Sequence, residues 1–193
     1  LLATHPAIQT RLREEIRTNL PSPSASLDGS IDLTSILDSL PYLAAVCNEV
    51  LRLFPPVPTT IRIATVDTSV LGVPIPEGTR LWLSPWAINR SPLLWGDSAG
   101  EFLPERWIDT DTGRANNTGG VSSNYSILTF LHGPRSCIGE KFAKNELKVL
   151  MAVFVGRFLM EMADPNEVIT PAGAITTKPK NGMRLRLQVL KGW

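Results

Sequence analysis

The sequence predicts a mainly α protein with small β-sheets. Two observations carry this fold class: apolar stripes of helical spacing over residues 41–54 and 138–160, and short alternating runs elsewhere in the chain. A third is the lack of any regular strand–helix–strand rhythm, with 16 prolines breaking the 193 residues into ordered loops. The length suits one domain, and 43% hydrophobic residues exclude a disordered chain.

Residues 5–20 read as a surface helix. Thr4 is the expected N-cap, Pro6 sits in the first turn, and Ile8, Leu12, Ile16 and Leu20 mark one apolar face. Residues 21–30 are a polar, Pro/Ser-rich connection, and 33–40 predict a short helix. Residues 41–54 form the clearest helix: Leu43, Val46, Cys47, Val50, Leu51 and Phe54 recur at three and four, and Pro55, Pro56 and Pro58 end it. Residues 59–90 read as strands and turns, with a Pro76-Glu77-Gly78-Thr79 turn before Leu81 and Leu83. Residues 91–107 are irregular and rich in Trp and Pro; 109–124 predict an exposed loop. The helix at 138–160 is apolar on most sides and is expected to be buried. A hairpin is expected at the end, pairing 175–178 with 183–189 across a Lys180-Asn181-Gly182 turn.

Lys plus Arg (19) nearly balances Asp plus Glu (18), a net charge of +1, which argues against nucleic-acid or acidic-membrane binding driven by bulk charge. Two cysteines exclude a disulfide-dense scaffold. The longest unbroken apolar stretch, 149–155, falls far short of the roughly 20 residues of a membrane helix. The opening residues lack the cationic and apolar regions of a signal peptide. The chain opens on Leu1, inside or just before a helix, and is expected to be a piece of a longer protein. Neither G-x-G-x-x-G nor a Walker loop, H-E-x-x-H or C-x-x-C occurs.

Chemistry concentrates in Phe130-Leu131-His132-Gly133-Pro134-Arg135-Ser136-Cys137-Ile138-Gly139. A single cysteine lies between two glycines, just ahead of the second long helix. Little side-chain bulk surrounds it, so something flat can approach the backbone. Amides of the helix's first turn favour a thiolate there, and Arg135 adds a cation for an anionic group. Such a cysteine can be a metal ligand, a nucleophile or a small buried hydrophobe. The pattern F-x-x-G-x-R-x-C-x-G arises by chance in a chain of this length on the order of one time in ten thousand or less. It resembles, at all five fixed positions, the haem-binding signature of the cytochrome P450 superfamily.

Two further segments share the resemblance. Glu49 and Arg52, three apart on the first stripe helix, look like the family's E-x-x-R pair. As a pattern E-x-x-R is weak, recurring here at Glu14/Arg17 and Glu77/Arg80; the helix ending in Leu53-Phe54-Pro55-Pro56 is what distinguishes it. Phe102-Leu103-Pro104-Glu105-Arg106-Trp107 is similar to the family's Pro-Glu-Arg segment. The resemblance assigns Glu49, Arg52 and Arg106 to a buried structural triad that locks the irregular segment, with extra backbone acceptors expected for the excess positive charge.

The resemblance implies the C-terminal, haem-ligating part of the P450 fold, one partial domain over residues 1–193, with the N-terminal half absent. It implies haem, held by the Cys137 thiolate as axial ligand of the iron. Phe130, Gly133 and Gly139 shape the cofactor loop, and Arg62 and Arg135 resemble the cations that meet the propionates. Pro58, Thr59, Thr60, Ala174 and Ile175 match stretches that contact substrate. The implied reaction inserts one oxygen atom of O2 into a small hydrophobic organic substrate, with electrons from an NADPH-dependent reductase. No nucleic-acid partner is implied. The full-length parent is expected on the cytosolic face of the endoplasmic reticulum, its membrane contact made only through an N-terminal anchor missing here. The oxygen-activating residues would also lie outside this chain, so the isolated chain is expected to hold haem weakly and to be inactive. Alternatives are a truncated non-catalytic fragment and a same-fold peroxide isomerase or dehydratase. Cys47 reads as core, His132 as no ligand and His5 as surface. The N-x-S/T matches at Asn89, Asn116 and Asn124 are expected to be unmodified.

Overall fold

A computed structural model describes residues 1–22, 32–173 and 175–193. Most of the 21–30 connection, and Ala174, lie outside the described residues. The architecture is helices with small antiparallel sheets, as the periodicities predict.

The first helix, α1, spans Pro6–Asn19. Pro6 opens it, where a missing N–H costs nothing. His5, not Thr4, is the N-cap; the Thr4 hydroxyl instead donates to the Leu1 carbonyl (2.8 Å), closing a 3₁₀ turn over Leu2–Thr4. His5 is half-buried rather than on the surface, its ring edge-on to Phe102. Leu12 and Ile16 are fully buried. A short helix, α2, covers Leu33–Asp38, capped by Asp32, whose carboxylate accepts the Ser35 N–H and hydroxyl.

Helix α3 runs Pro41–Leu53. Its first turn is capped from another element: Glu15 of α1 accepts the N–H groups of Tyr42 (2.8 Å) and Leu43 (2.7 Å). Leu43, Val46 and Cys47 form the buried stripe. Phe54 departs from it, lying partly exposed after the helix, where its ring meets Trp86 and the Arg90 guanidinium.

Two hairpin-like sheets follow. Strand β1 (Thr60–Ile63) pairs with β4 (Arg80–Leu83), and β2 (Thr68–Val70) with β3 (Val73–Ile75). The stretch read as strands and turns ends in a single-turn helix, α4 (Pro85–Ile88), and the segment predicted as irregular contains another, α5 (Pro92–Trp95), with 3₁₀ turns including Pro104–Trp107. Residues 109–124 are mostly exposed, with Asn116, Thr118 and Val121 half-buried. Gly119 is buried at φ +63°, and a Cβ there would stand 2.8 Å from the Trp95 ring and 3.2 Å from that of Trp107.

Helix α6 spans Glu140–Arg157, then the chain turns directly into strand β5 (Phe158–Met162). The helix therefore ends earlier than its apolar pattern predicts. Only Ala152, Val155 and Gly156 of it are buried. Phe142 is 73% exposed, and Val149, Leu150, Val153 and Phe154 are also exposed. The expectation of a buried helix fails because α1 and α3 cover one side of α6, and no described residue covers the other.

The carbonyls at the C-terminal end of α6 would otherwise lack partners. Arg13 of α1 donates to Val155 O and Phe158 O (both 2.9 Å), Arg17 to Gly156 O (2.9 Å), and Leu190 N to Arg157 O (2.9 Å). Guanidinium groups at a helix C-terminus also complement its dipole.

The expected terminal hairpin does not form. Strand β8 (Leu185–Val189) pairs antiparallel with β5, Phe158 opposite Val189 and Met162 opposite Leu185. The short β7 (Lys178–Pro179) pairs instead with β6 (Pro171–Ala172). Pro179 has no N–H to donate, whereas β5 offers a five-residue edge already fixed from behind. The fixing residue is Gln9 of α1, fully buried. Its amide donates to Met160 O (2.9 Å) and Leu2 O (3.0 Å), and accepts from Met160 N (2.9 Å). Replacing Gln9 by Ala strands these buried groups, and chemical denaturation is expected to register a loss of about 2–4 kcal/mol.

Candidate functional site

Glu49 lies one turn before the end of α3 and is fully buried. Burial alone would raise its pKa. The pairing with Arg52, with N–H groups from Leu103 and Trp107, overcomes this and holds the carboxyl below its ordinary 4.5. Arg52 grips it bidentately, Nε to Oε2 and Nη2 to Oε1, each at 2.8 Å. Arg106 Nε donates to Oε1 (3.1 Å), Leu103 N to Oε1 (3.0 Å) and Trp107 Nε1 to Oε2 (2.9 Å).

Two cations thus share one anion, and carbonyls meet the excess. Arg52 donates to those of Asn89 (2.7 Å), Ala99 (2.7 Å) and Glu101 (3.0 Å); Arg106 donates to Ser98 O (3.0 Å). The irregular chain from 98 to 107 has little regular hydrogen bonding of its own, and this cluster supplies it. Trp95 packs against Trp107 and lies under both guanidinium groups, 4.8 Å from that of Arg52 and 5.8 Å from that of Arg106.

Asn89, the C-cap of α4, is also fully buried. Its Nδ2 donates to Arg52 O (3.1 Å) and Thr129 Oγ1 (2.9 Å), and its Oδ1 accepts from Leu128 N (2.8 Å). An amide so engaged is closed to glycosylation. Asn116 is also tied down, donating to Arg106 O and accepting from Thr118 and Gly119 N–H, while Asn124 is exposed.

The cysteine loop follows directly. Leu131 and Gly133 take left-handed φ of +60° and +74°, and Gly133–Arg135 form a 3₁₀ turn. Gly133 adopts that conformation freely, whereas Leu131 holds it at a cost. Cys137 N donates to Phe130 O (2.8 Å), closing the loop. The thiol is exposed, and a Cβ at residue 139 would sit 3.9 Å from Sγ, so Gly139 leaves that flank of the sulfur clear. Beside it Ile138 and Phe142 present bare apolar surface, and Arg135 is exposed. Phe130 is half-buried beneath the Lys144 ammonium (5.5 Å), itself paired with Glu140.

Arg62 is exposed on β1, donating to Thr60 Oγ1 and Ile61 O. Thr177 donates to Pro55 O and Pro56 O, which brings the loop carrying exposed Ile175 alongside the segment leading to Pro58, Thr59 and Thr60. The Pro58 carbonyl is occupied by Trp86 N and the Ser84 hydroxyl. His132 bonds Asn124 O and Ile127 O. Cys47 is buried, its thiol pushed up to about 12 by desolvation, and so stays protonated.

The structure therefore joins Glu49, Arg52 and Arg106 in one cluster, and Phe130, Gly133, Cys137 and Gly139 in one loop. Sequence reasoning missed Trp107, Asn89 and Thr129. Trp107 follows directly on Pro-Glu-Arg, and an indole N–H needing a buried acceptor was the available signal. In the sequence Asn89 stood out only as an N-x-S/T match.

The family profile "Cytochrome P450" matches residues 1–185. The chain belongs to the cytochrome P450 family. It is 49% identical to cytochrome P450 monooxygenase sphH of Aspergillus fumigatus, over 100% of this chain and 35% of that protein. It is 47% identical to cytochrome P450 monooxygenase abl5 of Leptosphaeria maculans (100% and 36%) and to ptmK of Penicillium ochrochloron (98% and 36%). The chain thus spans about a third of the length of these fungal relatives. Among the described residues, no helix is long and apolar enough to cross a membrane.

The residues present fit a haem. An exposed thiol, bare apolar Ile138 and Phe142, and exposed Arg135 match an apolar macrocycle with anionic edges.

The depressed Glu49 pKa sets an acid limit. Its stabilising contribution is complete above the ordinary value near 4.5 and disappears as pH falls through the lower folded value. Replacing Glu49 by Gln is expected to cost about 3–5 kcal/mol at neutral pH, because Arg52 stays buried without its anion. Denaturation midpoints across the acid range should also lose the step that the carboxylate produces in the unsubstituted chain.

Proposed function

We propose that this chain supplies the haem-ligating part of a haem-thiolate monooxygenase, in which Cys137 would hold the iron. The observation that carries the reading is the exposed Cys137 thiol on a loop closed by its own N–H to Phe130 O, beside uncovered apolar surface. Haem bound there supplies dioxygen chemistry in which one oxygen atom enters an organic substrate and the other leaves as water.

The chain's own residues bind and orient. Cys137 would hold the metal, and Gly133 and Gly139 keep the neighbouring backbone free of bulk. Phe130 packs under the loop and limits water at the sulfur. Arg135 and Arg62 offer cations to the two carboxylates of the cofactor. Glu49, Arg52 and Arg106 touch neither cofactor nor substrate; they hold the framework. Pro58, Thr59, Thr60 and Ile175 line the substrate side, with Ala174 in the same stretch. The substrate is a small hydrophobic organic molecule, and electrons come from an NADPH-dependent reductase at the cytosolic face of the endoplasmic reticulum. Support for the monooxygenase class comes from the 47–49% identity of this chain to fungal cytochrome P450 monooxygenases.

The haem-loaded protein that contains this chain should show a thiolate-type absorption band in its reduced carbon monoxide complex. Cys137→Ala should abolish that band, and a variant that keeps it contradicts the assignment. The isolated chain leaves Phe142, Leu150 and Phe154 facing water, so haem titration should find weak, substoichiometric retention. Tight one-to-one binding would contradict that expectation.

A further inference from the structure

We propose that Asn89 is a positioning residue for Cys137, its carboxamide carrying the position of the Glu49–Arg52 cluster to the ligand loop. The inference deepens the haem-thiolate reading and rests on it. Asn89 reaches two elements at once. Toward α3 its side chain donates to Arg52 O (3.1 Å), while its backbone carbonyl accepts from Arg52 Nη1 (2.7 Å). Toward the loop it accepts from Leu128 N (2.8 Å) and donates to Thr129 Oγ1 (2.9 Å). Thr129 Oγ1 closes the bracket by donating to Leu51 O (2.8 Å). The next residue is Phe130, whose carbonyl accepts the Cys137 N–H (2.8 Å). One residue further on, Leu131 adopts a left-handed conformation that a branched side chain does not choose unaided. Something must hold the chain rigid up to that bend, and the Asn89 clamp on residues 128 and 129 does so.

The site asks for a carboxamide. One face must accept an N–H while the other donates twice, all without accessible surface. A carboxylate cannot donate to the Arg52 carbonyl, and alanine reaches nothing. A neutral imidazole offers one acceptor and one donor, enough for part of the work.

The test uses the haem-loaded protein containing this chain and reads the thiolate-type carbon monoxide band per haem, with haem content measured separately. Asn89→Ala should lose at least about half of that band per haem, because outer residues that orient a ligand strongly affect its ligation. Thr129→Val, a milder truncation of the same bracket, should lose less in the same direction, and Asn89→His should recover part of the loss. Asn116→Ala, which loosens the neighbouring segment without touching residues 128 and 129, should leave the ratio unchanged. If Asn89→Ala does not fold, Thr129→Val decides. A wild-type ratio in the folded bracket variants, or an equal loss in Asn116→Ala, overturns the proposal. An unsubstituted protein without the band overturns the haem-thiolate reading instead. The clamp then stands or falls on hydrogen exchange at the Leu128 amide: about tenfold faster exchange in Asn89→Ala upholds it, and an unchanged rate overturns it.

Discussion

One buried carboxylate organises this chain. Glu49 accepts five hydrogen bonds, two from Arg52 and one each from Arg106, Trp107 and the Leu103 backbone. An ion so enclosed is tolerable only when every lone pair is used and the surplus cation finds acceptors. Those acceptors are the carbonyls of a segment that has little secondary structure of its own. Charge satisfaction and chain positioning are therefore one interaction. The irregular segment is rigid because the helix needs it, and the helix tolerates its buried charges because the segment is there.

The rigidity reaches the cysteine loop by two routes. From behind, Asn89 and Thr129 tie residues 128 and 129 to the last turn of α3. From ahead, the loop feeds into α6, whose far end is clamped by Arg13 and Arg17 of α1 and by the β5–β8 sheet. A loop held at both ends keeps an exposed sulfur where a ligand can find it. The same arrangement leaves one side of α6 apolar and uncovered. Ile138 and Phe142 belong to that uncovered surface, which is where an apolar macrocycle would gain most.

Much of the site was legible in sequence, for a physical reason. The glycines, arginine and cysteine of the loop are tied to one another by short spacing, as are Glu49 and Arg52 on one helix face. Arg106 needed its Pro-Glu-Arg context. What stayed hidden was long-range. Asn89 bonds residues 37 to 40 positions away, and Gln9 bonds Met160 across 151 positions. The last strand alternates as any half-buried strand does, so its pattern could not say whether 178 or 162 was its neighbour. The apolar pattern of α6 reported that its faces avoid water, not which neighbour would cover them. Phe158 through Met160 continued that pattern smoothly, and only the pairing with β8 shows that the helix has already ended.

The most direct measurement is iron-edge X-ray absorption on the haem-loaded protein containing this chain, compared with its Glu49→Gln variant. A sulfur atom should appear in the first coordination shell of the unsubstituted protein, and its share should fall in the variant although haem remains. A shell of nitrogen and oxygen alone, or a sulfur signal of equal strength in both proteins, would contradict a thiolate ligand held in place by the buried carboxylate.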